Sequence, residues 1–202
     1  MSFTTISHSV EACLVRGTVL VSSQSCLSLL QAAGFGTLLR DTCISENSEG
    51  TKDPGSQQVQ LLLSEEETLY LMLQSKLSLH DAEETRIFAE GADKEGILSC
   101  EDFFRVCVQQ DPLFSRRLAV YSHFRALNFV VRSALQFGGS FALYRAPPSR
   151  RHSEHLVLVL RGGEALTWRE LSALTRIAPD VMKTLLLCWV RQEGEGEGAA
   201  QG

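Results

Sequence analysis

Two short runs of strand-forming residues, separated by a loop that contains two prolines and two arginines, stand in the C-terminal half of the chain. The runs are Phe141 to Arg145 and Leu156 to Leu160, and their aliphatic and aromatic side chains are typical of β-strands. Tyr144 lies at the end of the first run, and His152 lies on the approach to the second. The sequence therefore predicts a phenol and an imidazole at the mouth of one hairpin-like loop, where they could act as an acid–base pair.

The arginines of this region belong to an uneven charge distribution. The whole chain has a formal net charge of −5, but the segment from Pro112 to Arg161 contains eight arginines and a single acid, Glu154. That segment therefore carries +7 and the remainder of the chain −12. The ordinary alternative is a solvated face on which positive and negative side chains alternate, but this segment shows no such alternation. We interpret the segment as a surface that faces a polyanion.

Composition argues against several classes of protein. With 202 residues and 44% hydrophobic content, the chain can bury the core of one domain or of two small ones. Its six cysteines show no CxxC or paired spacing, so neither a zinc cluster nor a disulfide framework is predicted, and a reducing compartment is favoured. His8, Glu11 and Arg16 interrupt the region where a signal peptide would need apolar residues. No apolar run reaches the ~18 residues of a membrane helix, so no membrane segment is predicted.

The first half of the chain has the pattern of a small domain of its own. A strand is predicted at Gly17 to Val21 and a helix at Cys26 to Ala33, closed by a Gly-Phe-Gly turn. Residues 44–58 are polar, contain Pro and Gly and lack periodicity, which indicates a loop or linker. A capping-box pattern at Ser64 starts a helix whose apolar residues continue at helical spacing to Leu77.

A subdomain boundary is predicted at Asp111-Pro112, where the proline interrupts two helical patterns. The helix after this boundary places Tyr121 in the core and His123 on the surface. Beyond the two strands, a capping-box pattern at Thr167 begins another helix. Lys183 then opens a further apolar strand.

These segments resemble the signature of the tRNA-splicing endonuclease family. In that signature a Tyr closes one strand, a His opens the next, and a Lys opens a later strand after a short helix. FALYR, the two prolines, HSEHLV and LTRIAPDVMKTLLLCWV supply these residues in order, and the Tyr-to-His spacing of eight is similar to the family's. The stretch YSHFRALNFVVRSALQFG most resembles the catalytic subunit that cuts the 5′ splice site.

The resemblance implies an α+β fold in two parts. Residues 1–111 would form a small N-terminal α+β subdomain with a flexible loop at 44–58. Residues 112–191 would form a C-terminal α/β nuclease domain with a mixed central sheet flanked by helices, and residues 192–202 a disordered tail. The implied partners are precursor tRNA and other endonuclease subunits, in a heterotetramer or alternatively a homo-oligomer. The implied compartment is the nucleus, or the cytoplasm in a prokaryote.

The resemblance also implies a catalytic trio of Tyr144, His152 and Lys183. RNA is cleaved without a metal or cofactor when a base deprotonates a ribose 2′-hydroxyl, an acid protonates the leaving 5′-oxygen and a cation stabilises the transition state. Tyr144 would be the base, His152 the acid and Lys183 the cation. A tyrosine hydroxyl is a poor base at neutral pH unless nearby positive charge favours the phenolate. The products would be a 2′,3′-cyclic phosphate and a 5′-hydroxyl.

Four arginines are candidate RNA contacts. Arg145, Arg150 and Arg151 lie between the proposed base and acid, and are expected to face the phosphates that flank the scissile bond. Arg176 matches an arginine that, in the family, joins a Trp of a final strand to hold a bulged base of the RNA in trans. Trp189 lies one strand too early to be that Trp, so the final strand is expected to be absent.

Other functions are open to the same residues. A non-catalytic structural subunit of the same complex is the main alternative. His152 and Glu154 match the H-x-E pattern of zinc deaminases, but the PCxxC that completes that site is absent. His155 is expected to point to the face opposite His152 and Glu154 and to be a packing residue. A metal-dependent nuclease would need clustered carboxylates, which this segment lacks, so no metal site is predicted.

Overall fold

The computed structural model describes residue 6 and residues 9–40, 59–81, 96–146, 148, 152–161, 167–180 and 183–191. The chain divides into two compact units, Met1–Asp111 and Pro112–Gly202. Each unit combines helices with a mixed sheet, so the prediction of an α+β fold is confirmed. The predicted loop at 44–58 and the predicted tail at 192–202 lie outside the described residues.

The first unit contains a six-stranded sheet in the order β3-β4-β2-β1-β5-β6. Strands β1 and β5 are parallel, and the other pairs of this sheet are antiparallel. The strands are β1 (Val10–Val15), β2 (Thr18–Val21), β3 (Thr37–Arg40), β4 (Val59–Leu63), β5 (Leu77–Asp81) and β6 (Ile97–Leu98). The helices are α1 (Gln24–Ala32), α2 (Glu65–Leu73) and α3 (Cys100–Gln110).

The capping box predicted at the start of α2 is confirmed. The Ser64 hydroxyl accepts a hydrogen bond from the Glu67 backbone N–H at 3.2 Å, and the Glu67 carboxylate accepts one from the Ser64 N–H at 3.1 Å. The same carboxylate accepts from the Gly36 N–H at 3.1 Å, so Glu67 also ties the Gly-Phe-Gly turn to the helix. This buried acid therefore has a structural role.

The predicted extension of that helix to Leu77 is wrong. Helix α2 ends at Leu73, and Ser75 adopts a left-handed backbone conformation with φ of 55°. Leu77 begins β5, in which Leu77 and Leu79 are buried and Ser78 between them is partly exposed. Leu77 thus belongs to a two-residue period, and its helical spacing from Leu69 and Leu73 is coincidental.

The second unit contains a four-stranded sheet in the order β10-β9-β8-β7. Its elements are α4 (Phe114–Ala126), β7 (Val130–Ser133), a 3-10 turn (Leu135–Phe137), β8 (Phe141–Tyr144), β9 (His155–Leu160), α5 (Trp168–Asp180) and β10 (Thr184–Trp189). Strands β9 and β10 are parallel, with α5 as the crossover between them, whereas β7, β8 and β9 pair antiparallel. Helix α5 begins directly after Thr167, as predicted.

Helix α4 packs on one face of this sheet. Tyr121 is 1% exposed, and its ring meets the Phe141 ring edge-on at 5.9 Å between centroids. The predictions that Tyr121 is a core residue and that His123 is exposed are both confirmed. The other face carries a small buried cluster of Ala134, Ala142 and Leu156.

Candidate active site

Tyr144 and Lys183 lie in one row at one edge of the second sheet. Leu143 of β8 and Thr184 of β10 are both register partners of His155 in β9. One position further, the Glu154 N–H donates to the Leu143 carbonyl at 2.9 Å, and the Thr184 N–H donates to the Glu154 carbonyl at 3.0 Å. Tyr144, Glu154 and Lys183 therefore stand side by side. Since neighbouring strands lie ~4.8 Å apart, the backbones of Tyr144 and Lys183 are about 10 Å apart.

The phenol and the ammonium project from the same face of the sheet. Tyr144 packs against the cluster of Ala134, Ala142 and Leu156, together with Phe137 and Leu185. The Lys183 Nζ atom lies over the Phe137 ring, 5.1 Å from its centroid. Because Lys183 precedes Leu185 by two residues, strand alternation directs both toward this cluster. The structure thus brings together two of the three predicted catalytic residues.

His152 lies at the same edge of the sheet, in the loop between β8 and β9. Its side chain is exposed, and the following residue, Ser153, is buried. It precedes the row residue Glu154 by two positions, so it stands just beyond the row that contains Tyr144 and Lys183. An exposed imidazole beside this row can reach a ligand that lies against the edge of the sheet.

Arg145 extends to the opposite face from Tyr144. Its guanidinium donates from Nε to Glu154 Oε2 at 2.8 Å and lies over the Phe129 ring, 5.1 Å from the centroid. Phe129 precedes Val131 by two residues, and Val131 pairs with Leu143, whose side chain alternates with that of Tyr144. The charge of Arg145 is therefore partly balanced by Glu154, and its contribution to phosphate binding stays a prediction.

His155 lies beside this ion pair. Its ring meets Phe129 edge-on at 6.0 Å between centroids, so the prediction that it is a packing residue is confirmed. Its Nε2 atom is nevertheless 4.0 Å from Glu154 Oε2, although alternation predicted that the two side chains would point to opposite faces. The chain bends at Glu154, just before β9 begins, and the bend turns the carboxylate toward His155.

Of the three other predicted RNA contacts, the structure describes Arg176, which is exposed on α5. Arg150 and Arg151 lie outside the described residues. Sequence reasoning did not single out Arg132, which pairs with Ala142 and so lies on the face of Tyr144. The arginines of the basic segment therefore do not share one face: Arg125, for example, donates to the Phe129 carbonyl at 3.4 Å and links α4 to the start of β7.

The described parts of the chain offer little for other kinds of site. Within the described ranges, no three His, Cys, Asp or Glu side chains are grouped so that they could hold a metal ion. None of the helices there is both long and apolar enough to cross a membrane. Burial raises the pKa of the Cys188 thiol in β10 above its ordinary value, which keeps this thiol protonated and poorly nucleophilic.

Comparisons with known proteins match the unit that contains this row. Residues 114–197 match the family model described as tRNA intron endonuclease, catalytic C-terminal domain. The chain is 40% identical over 88 residues to the tRNA-splicing endonuclease subunit Sen2-2 of Arabidopsis thaliana, which is 43% of this chain and 35% of the relative. It is 31% identical over 103 residues to the tRNA-splicing endonuclease of Pyrococcus abyssi, which is 51% of this chain and 59% of the relative.

A longer match extends toward the N-terminus. The tRNA-splicing endonuclease of Thermococcus kodakarensis is 28% identical over 135 residues, which is 67% of this chain and 73% of that protein. The chain spans 35% of the length of the Arabidopsis relative and 59% of the length of the Pyrococcus relative. The family model itself matches within the second unit, which contains Tyr144, His152 and Lys183.

Proposed function

We propose that this chain, whose residues 114–197 match the tRNA intron endonuclease catalytic domain, is a catalytic subunit of a tRNA-splicing endonuclease. The observation that carries the proposal is the juxtaposition of Tyr144 and Lys183 on one face of the sheet, with His152 exposed at the same edge. The stretch YSHFRALNFVVRSALQFG, which most resembles the subunit that cuts the 5′ splice site, supports that subunit, and one relative is named Sen2-2. Precursor tRNA is the proposed substrate.

The proposed reaction is an intramolecular transesterification, in which the ribose 2′-oxygen displaces the 5′-oxygen of the next nucleotide from phosphorus. Tyr144 accepts the proton of the ribose 2′-hydroxyl, and the 2′-oxygen forms a bond to the adjacent phosphorus. The bond from phosphorus to the 5′-oxygen breaks, and His152 gives its proton to that oxygen. Lys183 stabilises the negative charge that develops on the non-bridging oxygens. The products are a 2′,3′-cyclic phosphate and a 5′-hydroxyl.

The positive charge near Tyr144 comes from residues of its own face. The Lys183 ammonium lies over Phe137, which packs on the same cluster as Tyr144. Arg132 lies on this face by its register with Ala142. Arg145 is directed to the other face, so of these three cations Lys183 and Arg132 share the face of Tyr144.

The test uses the full chain, assembled with its partner subunits, and an intron-containing precursor tRNA in a chelator. We expect cleavage at an exon–intron junction, with a 5′-hydroxyl that a polynucleotide kinase labels directly and a cyclic phosphate that mass spectrometry detects. Tyr144→Phe, His152→Ala and Lys183→Ala should each slow cleavage by ~10²-fold or more, as removal of an acid or base does. A requirement for a divalent metal in the chemical step would refute the mechanism.

Matched variants separate catalysis from folding. His123 is exposed on α4 and Lys76 lies in the first unit, so His123→Ala and Lys76→Ala are expected to cleave like the wild type. If the three site variants also cleaved like the wild type within an active complex, the chain would be the non-catalytic structural subunit. Assembly with other subunits, in a heterotetramer or a homo-oligomer, is proposed with the function, as is a nuclear location in a eukaryote.

A further inference from the structure

Phe137 is the residue that connects Lys183 with Tyr144. Its half-buried ring lies under the Lys183 ammonium, with 5.1 Å between Nζ and the ring centroid. The same ring packs against the buried cluster of Ala134, Ala142 and Leu156, and Tyr144 packs against that cluster as well. A shift of the Phe137 ring would therefore change the position of the ammonium relative to the phenol.

The backbone around Phe137 is held by a continuous set of hydrogen bonds. The Phe137 N–H donates to the Ala134 carbonyl at 2.8 Å, and the Gly139 N–H donates to the same carbonyl at 3.2 Å. The Ser140 N–H then donates to the Val157 carbonyl at 2.8 Å, which anchors the end of the turn to β9. The ring is thus presented by a turn that is fixed to two neighbouring strands.

We infer that Phe137 is a positioning residue for the cleavage reaction, because its ring face holds the Lys183 ammonium on the Tyr144 side of the sheet. This inference rests on the proposed function. The face of an aromatic ring is negative and attracts a cation placed over it. A lysine side chain has a flexible four-carbon stem, so contact with the ring face restricts the positions that its ammonium can occupy. A cation that is held in place before substrate binds stabilises the transition state without reorganisation.

The test compares variants that keep or remove the aromatic ring. Phe137→Leu keeps an apolar side chain but has no ring, whereas Phe137→Tyr keeps the ring. We expect Phe137→Leu to lower the single-turnover cleavage rate by roughly 2- to 30-fold, the range that the loss of a cation–π contact corresponds to. Phe137→Tyr should cleave at nearly the wild-type rate. Affinity for the precursor tRNA should be the same in all three proteins, since the effect is on the chemical step.

A double-mutant cycle decides whether Phe137 acts through Lys183. In a Lys183→Ala background there is no ammonium to hold, so Phe137→Leu should cause no further loss of rate. If the two losses were instead additive, or if Phe137→Tyr lost as much rate as Phe137→Leu, the inference would be overturned in favour of a packing role. Phe104→Leu, the same change in the first unit, is the matched control and should leave the rate unchanged.

A spectroscopic readout separates this inference from the proposed function. A cation over a ring experiences the ring current, so the Lys183 ε-protons should resonate upfield in the wild type and return to ordinary positions in Phe137→Leu. An unshifted wild-type signal would overturn the inference even if cleavage were demonstrated. If the wild-type complex failed to cleave, the proposed function would fall and take the catalytic role of Phe137 with it, while the shift would still report the Lys183 placement.

Discussion

Arg145 and Glu154 form an ion pair across the mouth of the loop that contains His152, with 2.8 Å between Nε and Oε2. One residue directly follows β8 and the other directly precedes β9, so the pair joins the two ends of the loop. The side chains are 61% and 38% exposed, and ion pairs as exposed as this contribute at most ~1 kcal/mol to stability. We therefore expect the pair to hold the two ends of the loop in position and to add little to the stability of the fold.

Breaking this ion pair should affect activity more than stability. We expect Glu154→Gln to change the free energy of unfolding by less than ~1 kcal/mol, because the pair is exposed. It should slow precursor-tRNA cleavage several-fold, because the loop that holds His152 loses a constraint. The exchange Arg145→Glu with Glu154→Arg should recover part of the rate. Single-turnover cleavage and urea unfolding of each variant provide the two measurements.

The control for this experiment is a comparable ion pair in the first unit. Arg105 lies 3.1 Å from Glu101 and 3.3 Å from Asp102, and its side chain is 60% exposed. Arg105→Ala should change stability as little as Glu154→Gln does, and should leave the cleavage rate at its wild-type value. A Glu154→Gln variant that also cleaved normally would show that the loop is positioned by other contacts.

Arg150 and Arg151 are expected to bind the RNA backbone. Each phosphate contact that is lost should reduce the slope of log affinity against log salt by roughly 0.7 to 0.9, and should weaken binding to all RNAs alike. The measurement is precursor-tRNA binding by Arg150→Ala with Arg151→Ala over a series of salt concentrations. Arg105→Ala is again the control. An unaltered slope would mean that these two side chains do not contact phosphates, and would leave the proposed roles of Tyr144, His152 and Lys183 unaffected.

Two adjacent glycines should respond differently to the same substitution. Gly138 has a φ of +69°, and the position that an alanine Cβ would take there has no neighbouring atom within 4 Å, so Gly138→Ala meets backbone strain of about 1–2 kcal/mol but no clash. At Gly139 a Cβ would lie 2.6 Å from Leu156 Cδ1, and because Leu156 is fully buried, it can shift only by disturbing the side chains packed around it. We expect Gly139→Ala to cost about 1–3 kcal/mol through overpacking, measured by urea unfolding.

The two variants should also differ in activity. Leu156 belongs to the cluster on which Tyr144 and Phe137 pack, so a displaced Leu156 moves the floor of the site. Gly139→Ala should therefore slow cleavage under conditions in which the protein remains folded, and Gly138→Ala should slow it less. Equal losses of activity in the two variants would contradict this account of the cluster.

The Cys188 thiol should react slowly with alkylating reagents. Burial disfavours the thiolate and raises the pKa of Cys188, so less thiolate is present at any given pH than in the unfolded chain. The alkylation rate should therefore begin to rise at a higher pH in the folded protein than in the protein unfolded in urea. The same shift contributes stability at pH values below the pKa that Cys188 has in the unfolded chain. This contribution is lost as the pH rises through the pKa that Cys188 has in the folded protein. Mass spectrometry of the Cys188 peptide measures both rates.

Local patterns were sufficient for much of the second unit. The strands β8 and β9, the start of α5 and the strand after Lys183 each follow from a short run of apolar residues bounded by proline, glycine or a capping residue. In the first unit β2 was the one strand predicted, although β1, β4 and β5 are longer; β4 and β5 pair with strands that are distant in the sequence. At Leu77 the spacing of apolar residues is compatible with a helix and with a strand. The residue lies in a strand because β5 pairs with β1.

The contacts of individual side chains could be predicted less well. The ion pair of Arg145 with Glu154 was not predicted, because it depends on the bend at Glu154 in the folded loop. Phe137 and Lys183 are far apart in the sequence, and they meet because β9 pairs with β8 on one side and with β10 on the other. A contact of this kind leaves no signal in either local sequence.

The row of Tyr144, Glu154 and Lys183 constrains how the length of this chain can vary. Successive residues of a strand point to opposite faces, so removal or insertion of one residue between Lys183 and Leu185 would turn the ammonium away from Phe137 without altering any functional residue. Insertion of two residues would again direct the ammonium to the face of Phe137, but would displace it along the strand. We therefore expect an insertion or deletion at the strand ends that form the row to reduce cleavage more than a change in the length of the loops beyond them.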